Sequence, residues 1–162
     1  LSAGITSGVD LLRGLGALTK MEILKIPGVS GGLDNNYEAQ INGALATLKT
    51  NDAVIIHVES PDESGHLGLF NEKVKAIEAI DSIMVSRVIS FAEKNEIRLL
   101  VLPDHPTPVK IKTHTAEPVP YCLWGKGVNH NGFKVYSENE ALKSPNFYER
   151  GHELMSRVTQ LK

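Results

Sequence analysis

The chain has 162 residues, of which 41% are hydrophobic and 22% charged, with a formal net charge of −2. That length can bury a sizeable core, and the charge excludes a broad basic field for nucleic acid. A single cysteine, Cys122, excludes an internal disulfide and fits a reducing, cytoplasmic compartment, and no apolar run reaches the ~20 residues that span a bilayer.

The opening LSAGITSGVD has neither the charged nor the apolar region of a signal peptide and no initiator Met, so the chain reads as truncated or processed. A helix is expected from Ser7 to Leu18, where Val9, Leu12, Leu15 and Leu18 recur at helical spacing and Ser7 can serve as N-cap. Glu22 to Ile26 reads as a short strand stopped by Pro27-Gly28, followed by the turn-rich loop GVSGGLDNN. A second helix runs from about Tyr37 to Leu48, burying Ile41, Leu45 and Leu48, and Thr50-Asn51-Asp52 breaks it.

Ala53 to Val58 is a continuous apolar run rich in β-branched residues, the pattern of a parallel strand covered on both faces. A long helix then spans roughly Leu69 to Lys94, with Phe70, Val74, Ile77, Met84, Val88 and Phe91 on one face. Arg98 to Leu102 is another buried strand, Val119 to Trp124 a third, and Gly132 to Tyr136 an edge strand. The tail from Asn146 to Leu161 reads as helical, with Tyr148, Leu154, Met155 and Val158 on its apolar side. Strands alternating with helices, without a repeat or a linker, make one domain of the α/β class with a mostly parallel sheet.

Two short stretches concentrate carboxylates and imidazoles directly after apolar runs: Asp62 and His66 in SPDESGH, and Asp104, His105 and His114 in LPDHPTPVKIKTHT. These are the ligand types of borderline divalent metals, and loops at strand ends are where α/β enzymes place their sites. Asp62 and His66 are four residues apart, so either a helix face or a tight loop bent by Pro61 and Gly65 brings them to one ion. His114 is the best third ligand, and three protein ligands leave a coordination position open for substrate. Asp104 and His105 are adjacent and flanked by prolines, so a bent strand end is needed to aim both at a second ion. Two ions ~3.5–4 Å apart can clamp the attacking and leaving oxygens of a phosphoryl transfer. A lone Asp–His pair is ordinarily only a hydrogen-bonded pair; five such residues in two post-strand loops are what weigh toward metal.

HVESPDESGHLG, LPDHPTP and THTAEPVPY resemble the metal motifs of the cofactor-independent phosphoglycerate mutases, archaeal-type branch, in the alkaline phosphatase superfamily. VDLLRGLGALTKMEILKIPGVSGGLDNNYEAQ resembles that branch's basic helix and the PG-loop after it, so the likeness covers nearly the whole chain. It implies an alkaline-phosphatase-like three-layer α/β sandwich, incomplete at its N-terminal side, and the C-terminal portion of a metal-binding domain over residues 1–162. It implies interconversion of 3-phosphoglycerate and 2-phosphoglycerate, a small phosphorylated three-carbon acid, through a phosphoserine. In the family, the positions of Asp62, His66 and His114 hold one metal and those of Asp104 and His105 the other; manganese is commonest, with zinc, cobalt or magnesium as variants. Arg13 stands where a phosphate contact is expected, although a helix-surface arginine is ordinarily solvated. The family's nucleophilic serine and its N-terminal metal aspartate have no match here, so the chain alone is expected to be inactive and to lack an N-terminal part of the same protein.

Other residues read more plainly. His57 is a hydrogen-bonded histidine supporting the ligands, and Lys73 and Glu78 sit on a solvated helix face. Ser60, Ser64 and Thr107 are close to the ligands but occupy no nucleophile turn. Gly14-Leu-Gly16 lacks the third glycine of a dinucleotide loop, and His130 and His152 have no partner pattern. Two other functions fit the same motifs: a metal-dependent phosphatase or phosphonate hydrolase of the superfamily, or a non-catalytic metal-binding fragment that exposes an apolar patch and self-associates.

Overall fold

The computed structural model describes residues 1–160. The chain divides into two compact units: Leu1–Phe91 with Thr107–His114, and Ala92–Pro106 with the residues from Thr115 onward. No described helix is long and apolar enough to cross a membrane.

The first unit is built on three parallel strands, β1 (Ala3–Thr6), β2 (Glu22–Ile23) and β3 (Ala53–Ile56), in the order β2-β1-β3. Gly4 and Ile5 pair with Glu22 and Ile23 on one side and with Val54 and Ile55 on the other. Helix α1 (Asp10–Leu18) joins β1 to β2, and α2 (Tyr37–Thr47) joins β2 to β3. The two helices cover opposite faces of the sheet. A Cβ at Gly16 of α1 would meet Ile5 Cγ2 at 2.6 Å, whereas the Cβ position of Gly4 looks onto Thr47 Cγ2 of α2 at 2.6 Å. Successive strand residues point to opposite faces, so the arrangement is helix, sheet, helix, as an α/β layer fold requires.

Several expectations are corrected here. The central strand, β1, had no place in the sequence reading, because LSAGIT carries too few large apolar residues to register as a buried run. It displaces the start of the first helix from Ser7 to Asp10; Ser7 Oγ instead accepts the Val9 N–H at 3.0 Å in a local turn. Leu15 and Leu18, two of the residues at helical spacing, are exposed, since α1 meets the sheet through the bare backbone of Gly16. β2 ends at Ile23 rather than Ile26. On α2 the buried row is Gln40, Ile41, Ala44 and Thr47, while Leu45 and Leu48 are only half-buried. β3 is half-buried and Ile55 exposed, not covered on both faces.

The long helix is interrupted. α4 (Phe70–Ala79) passes through a π-helical segment (Ile80–Val85) into α5 (Ser86–Ala92). A π turn inserts one residue into the helical repeat, so the face that carries Met84 and Val88 continues toward the N-terminus through Ala76, eight residues back, not through Ile77. Ala76, Met84 and Val88 are buried, and Phe70, Val74 and Ile77 are exposed.

In the second unit, β4 (Arg98–Val101) and β5 (Cys122–Gly125) form an antiparallel pair with Leu100 opposite Leu123. Arg98 donates to the carbonyls of Lys126 at 2.9 Å and Val158 at 2.7 Å, which ties the strand pair to the last helix. Residues 132–136 are not a strand; Tyr136 instead donates its hydroxyl to the Pro120 carbonyl at 3.1 Å. Two helices follow, α6 (Glu138–Ala141) and α7 (Glu153–Gln160). The expected tail helix therefore starts at Glu153 rather than Asn146, with Leu154 buried and Met155 exposed, and its expected end at Leu161 lies outside the described residues.

Candidate metal centre

Three of the residues singled out from the sequence converge within the first unit. Asp62 and His66 lie one turn apart on α3 (Ser60–Leu67), directly after β3, so the helix alternative holds for this pair. Pro61 is tolerated because it falls in the first turn, where its missing N–H has no intrahelical partner. Gly68 ends the helix in the left-handed conformation, with φ of 75°.

His114 arrives on the segment Thr107–His114, which packs with this unit. Asp62 Oδ2 lies 3.2 Å from His66 Nε2, Asp62 Oδ1 lies 3.5 Å from His114 Nε2, and the two Nε2 atoms are 3.0 Å apart. The imidazole rings are tilted by 54° with centroids 4.9 Å apart. Donors about 2.0–2.1 Å from a tetrahedral ion lie roughly 3.3 Å from one another, so these three donors have the spacing that a shared ion imposes.

Hydrogen bonds orient two of the three candidate ligands, His66 and Asp62. His66 Nδ1 donates to the Lys112 carbonyl at 3.1 Å, which leaves the Nε2 lone pair directed at the centre. Thr107 donates its hydroxyl to Asp62 Oδ1. Lys73 donates to the Thr107 carbonyl at 2.7 Å, so it is not on a freely solvated face as expected. The sequence reading weighs Thr107 only as a nucleophile near the ligands and Lys73 only as a solvated residue, and gives neither a supporting role at the site.

Asp104 and His105 belong to the second unit, in a bend after β4. Asp104 Oδ1 accepts the His105 N–H at 3.0 Å, and the carboxylate lies 3.4 Å from His105 Nε2. The pair supplies two donors.

The remaining candidates separate clearly. His57 sits just past β3; its Nδ1 hydrogen-bonds with Ser7 Oγ at 2.9 Å and its Nε2 faces Glu59 at 3.3 Å. Gln40 donates to the His57 carbonyl at 2.9 Å. Ser60 and Ser64 are fully buried, and Ser64 donates to the Ser60 carbonyl at 2.7 Å. Arg13 on α1 pairs with Asp10 and lines a cavity of about 410 Å³ together with Ser7 and Lys25. His130 and His152 are exposed.

Comparison with known proteins gives this geometry a context. The model of the Metalloenzyme superfamily matches residues 4–150. A 2,3-bisphosphoglycerate-independent phosphoglycerate mutase of Methanosarcina acetivorans is 42% identical over 145 residues, which are 88% of this chain and 36% of that protein. A probable enzyme of the same name from Geobacter sulfurreducens is 40% identical over 157 residues, 96% of this chain and 39% of that protein. The chain thus spans well under half the length of these curated relatives. The solved structure of the PH0037 protein from Pyrococcus horikoshii superposes with a TM-score of 0.93 at 27% identity, covering 99% of this chain and 48% of that one.

Proposed function

The chain belongs to the Metalloenzyme superfamily, and from that premise we propose that it contributes the metal-binding portion of a two-metal phosphoryl-transfer enzyme, a cofactor-independent phosphoglycerate mutase. The observation that carries the reading is the convergence of Asp62, His66 and His114, whose donor atoms stand 3.0–3.5 Å apart with His66 held in the tautomer a metal needs. One carboxylate and two imidazoles suit a borderline divalent ion; the family resemblance puts manganese first, with zinc, cobalt or magnesium as alternatives. Asp104 and His105 contribute to a second ion, and two donors are too few to hold it alone. Such ions neutralise charge on the transferring phosphoryl group.

The parts played by the chain's own residues follow from their contacts. Asp62, His66 and His114 present three fixed donors and leave coordination room for a substrate oxygen. Arg13, beside Lys25 in its cavity, offers a guanidinium fork suited to phosphate or carboxylate oxygens of a phosphorylated three-carbon acid. In the full-length protein the reaction interconverts 3-phosphoglycerate and 2-phosphoglycerate through a phosphoserine. On this reading the phosphoserine forms on a serine outside this chain, and the chain by itself does not turn over.

Metal stoichiometry tests the proposal. The chain dialysed against Mn²⁺ or Zn²⁺ is expected to retain one ion per chain, and His66→Ala none. An empty parent chain overturns the metal assignment. A mutase rate from this chain with Mn²⁺ overturns the division of labour.

A further inference from the structure

We infer that Thr107, seated by Lys73 and Gly65, is a positioning residue that fixes the Asp62 carboxylate for the metal centre. The inference rests on the metal-site reading above and deepens it.

Three observations within the first unit combine. Thr107 is 4% exposed, and its hydroxyl donates to Asp62 Oδ1. Its carbonyl accepts from Lys73 Nζ at 2.7 Å, which ties the Thr107 backbone to α4. Its backbone also lies against α3 at Gly65, where an added Cβ would overlap the Thr107 carbonyl and reach Lys73 Nζ at 3.1 Å. The side chain, the carbonyl and the facing glycine all hold one residue in place beside one carboxylate.

The physical consequence concerns the orientation of Asp62. A carboxylate one helical turn from a histidine can rotate and close onto that histidine as an ordinary ion pair. A hydroxyl donated to Oδ1 sets the carboxylate plane and directs the remaining lone pairs toward the space shared with His66 and His114. Lys73 donates to the Thr107 carbonyl and so anchors the loop that carries this hydroxyl. Partners that orient metal ligands in this way change metal affinity by about 10- to 100-fold when removed.

The test is Mn²⁺ titration of this chain, reading free Mn²⁺ by its paramagnetic resonance signal, for the parent, Thr107→Val, Thr107→Ser and Lys73→Met, with far-ultraviolet circular dichroism confirming the fold. Thr107→Val keeps the volume and removes the hydroxyl, and is expected to weaken binding about 10- to 100-fold. Thr107→Ser restores the hydroxyl and most of the affinity. Lys73→Met leaves the hydroxyl but frees its carbonyl, and weakens binding to a lesser degree. Parent affinity in both Thr107→Val and Lys73→Met overturns the inference, as does an equal loss in Thr107→Ser, which would assign the effect to the methyl group. If Thr107→Val does not fold, the Thr107→Ser and Lys73→Met results decide. A parent chain that takes up no Mn²⁺ overturns the metal site itself, a different result from a parent that binds no better than its variants.

Discussion

His66 Nδ1 donates to the carbonyl oxygen of Lys112 at 3.1 Å, so the segment that delivers His114 also dictates which nitrogen of His66 carries the proton. Lys112 adopts a left-handed backbone conformation, with φ of 60°, and its side chain lies across Gly68 at the end of α3. The bond therefore links ligand geometry to loop docking. His66→Asn and His66→Ala separate the two roles. The asparagine amide can replace Nδ1–H as donor to Lys112, whereas alanine cannot. Both variants are expected to lose the metal ion, but His66→Ala should be less stable than His66→Asn by about 0.5–1.5 kcal/mol, the net worth of one hydrogen bond. Urea melts of the metal-free proteins measure the difference, and equal midpoints would contradict the link.

Gly65 and Gly68 face the same segment from α3 for different reasons. Gly65 must lack a Cβ because the Thr107 carbonyl fills that space, and Gly68 must adopt a positive φ of 75° with Lys112 against it. Gly68→Ala meets a left-handed penalty of roughly 1–2 kcal/mol, while the overlap with the flexible Lys112 side chain is relieved when that side chain swings away. Gly65→Ala meets backbone, which cannot swing, and is expected to cost about 1–3 kcal/mol as an overpacking change and to weaken metal binding as well. Urea midpoints together with Mn²⁺ titration distinguish them: Gly68→Ala should reduce stability more than it reduces affinity.

The readable and the unreadable parts of this fold differ in physical kind. The convergence of Asp62, His66 and His114 could be read because candidate ligand side chains stand at short spacing, and α3 places the first two one turn apart. Helices α1 and α2 could be located because apolar periodicity marks a helix, but their buried faces only in part: Ile41 is buried as expected, whereas Leu45 and Leu48 are half-buried. Gly16 and Gly43 set how closely the helices approach their neighbours, Ile5 in one case and Ile26 in the other, and an approach through glycine leaves no apolar signal. The heptad from Phe70 to Phe91 looked continuous because nothing in the residues announces the π segment at Ile80–Val85. The supporting roles of Thr107 and Lys73 were missed for a further reason: a hydroxyl or an ammonium becomes informative only when folding has set it against a particular carboxylate or carbonyl.

Gln40 makes the most consequential buried polar link outside the metal centre. It is fully buried, donates to the His57 carbonyl at 2.9 Å and accepts from Asn35 at 2.8 Å, which joins α2, the loop before it and the exit of β3. Gln40→Leu keeps the approximate volume but leaves the part-buried His57 carbonyl and the buried Asn35 amide without these partners, each worth about 1–3 kcal/mol where water cannot reach it. The variant should lose several kcal/mol if neither group finds water, a large part of the 5–15 kcal/mol typical of a domain. Thermal and urea unfolding measure it; a loss below ~1 kcal/mol would mean that solvent reaches the site.

Alkaline sensitivity should trace to Tyr136. Partial burial of its hydroxyl, with negative charge at Cys122 and Glu138 as lesser contributors, pushes the phenol up to about 12, and the hydroxyl donates to the Pro120 carbonyl. A free tyrosine ionises near pH 10. As pH rises past that value the unfolded chain gives up its proton while the folded chain keeps it. The stabilisation is therefore intact below about pH 10 and declines steadily as pH approaches about 12. Two measurements check this. In a spectrophotometric phenolate titration, one of the four tyrosines should ionise near pH 12, and that step should vanish in Tyr136→Phe. In urea melts between pH 9 and about 12, Tyr136→Phe should start less stable than the parent, having lost the hydrogen bond to Pro120, and then lose stability less steeply. Parallel curves for the two proteins would show that the phenol does not govern the alkaline limit.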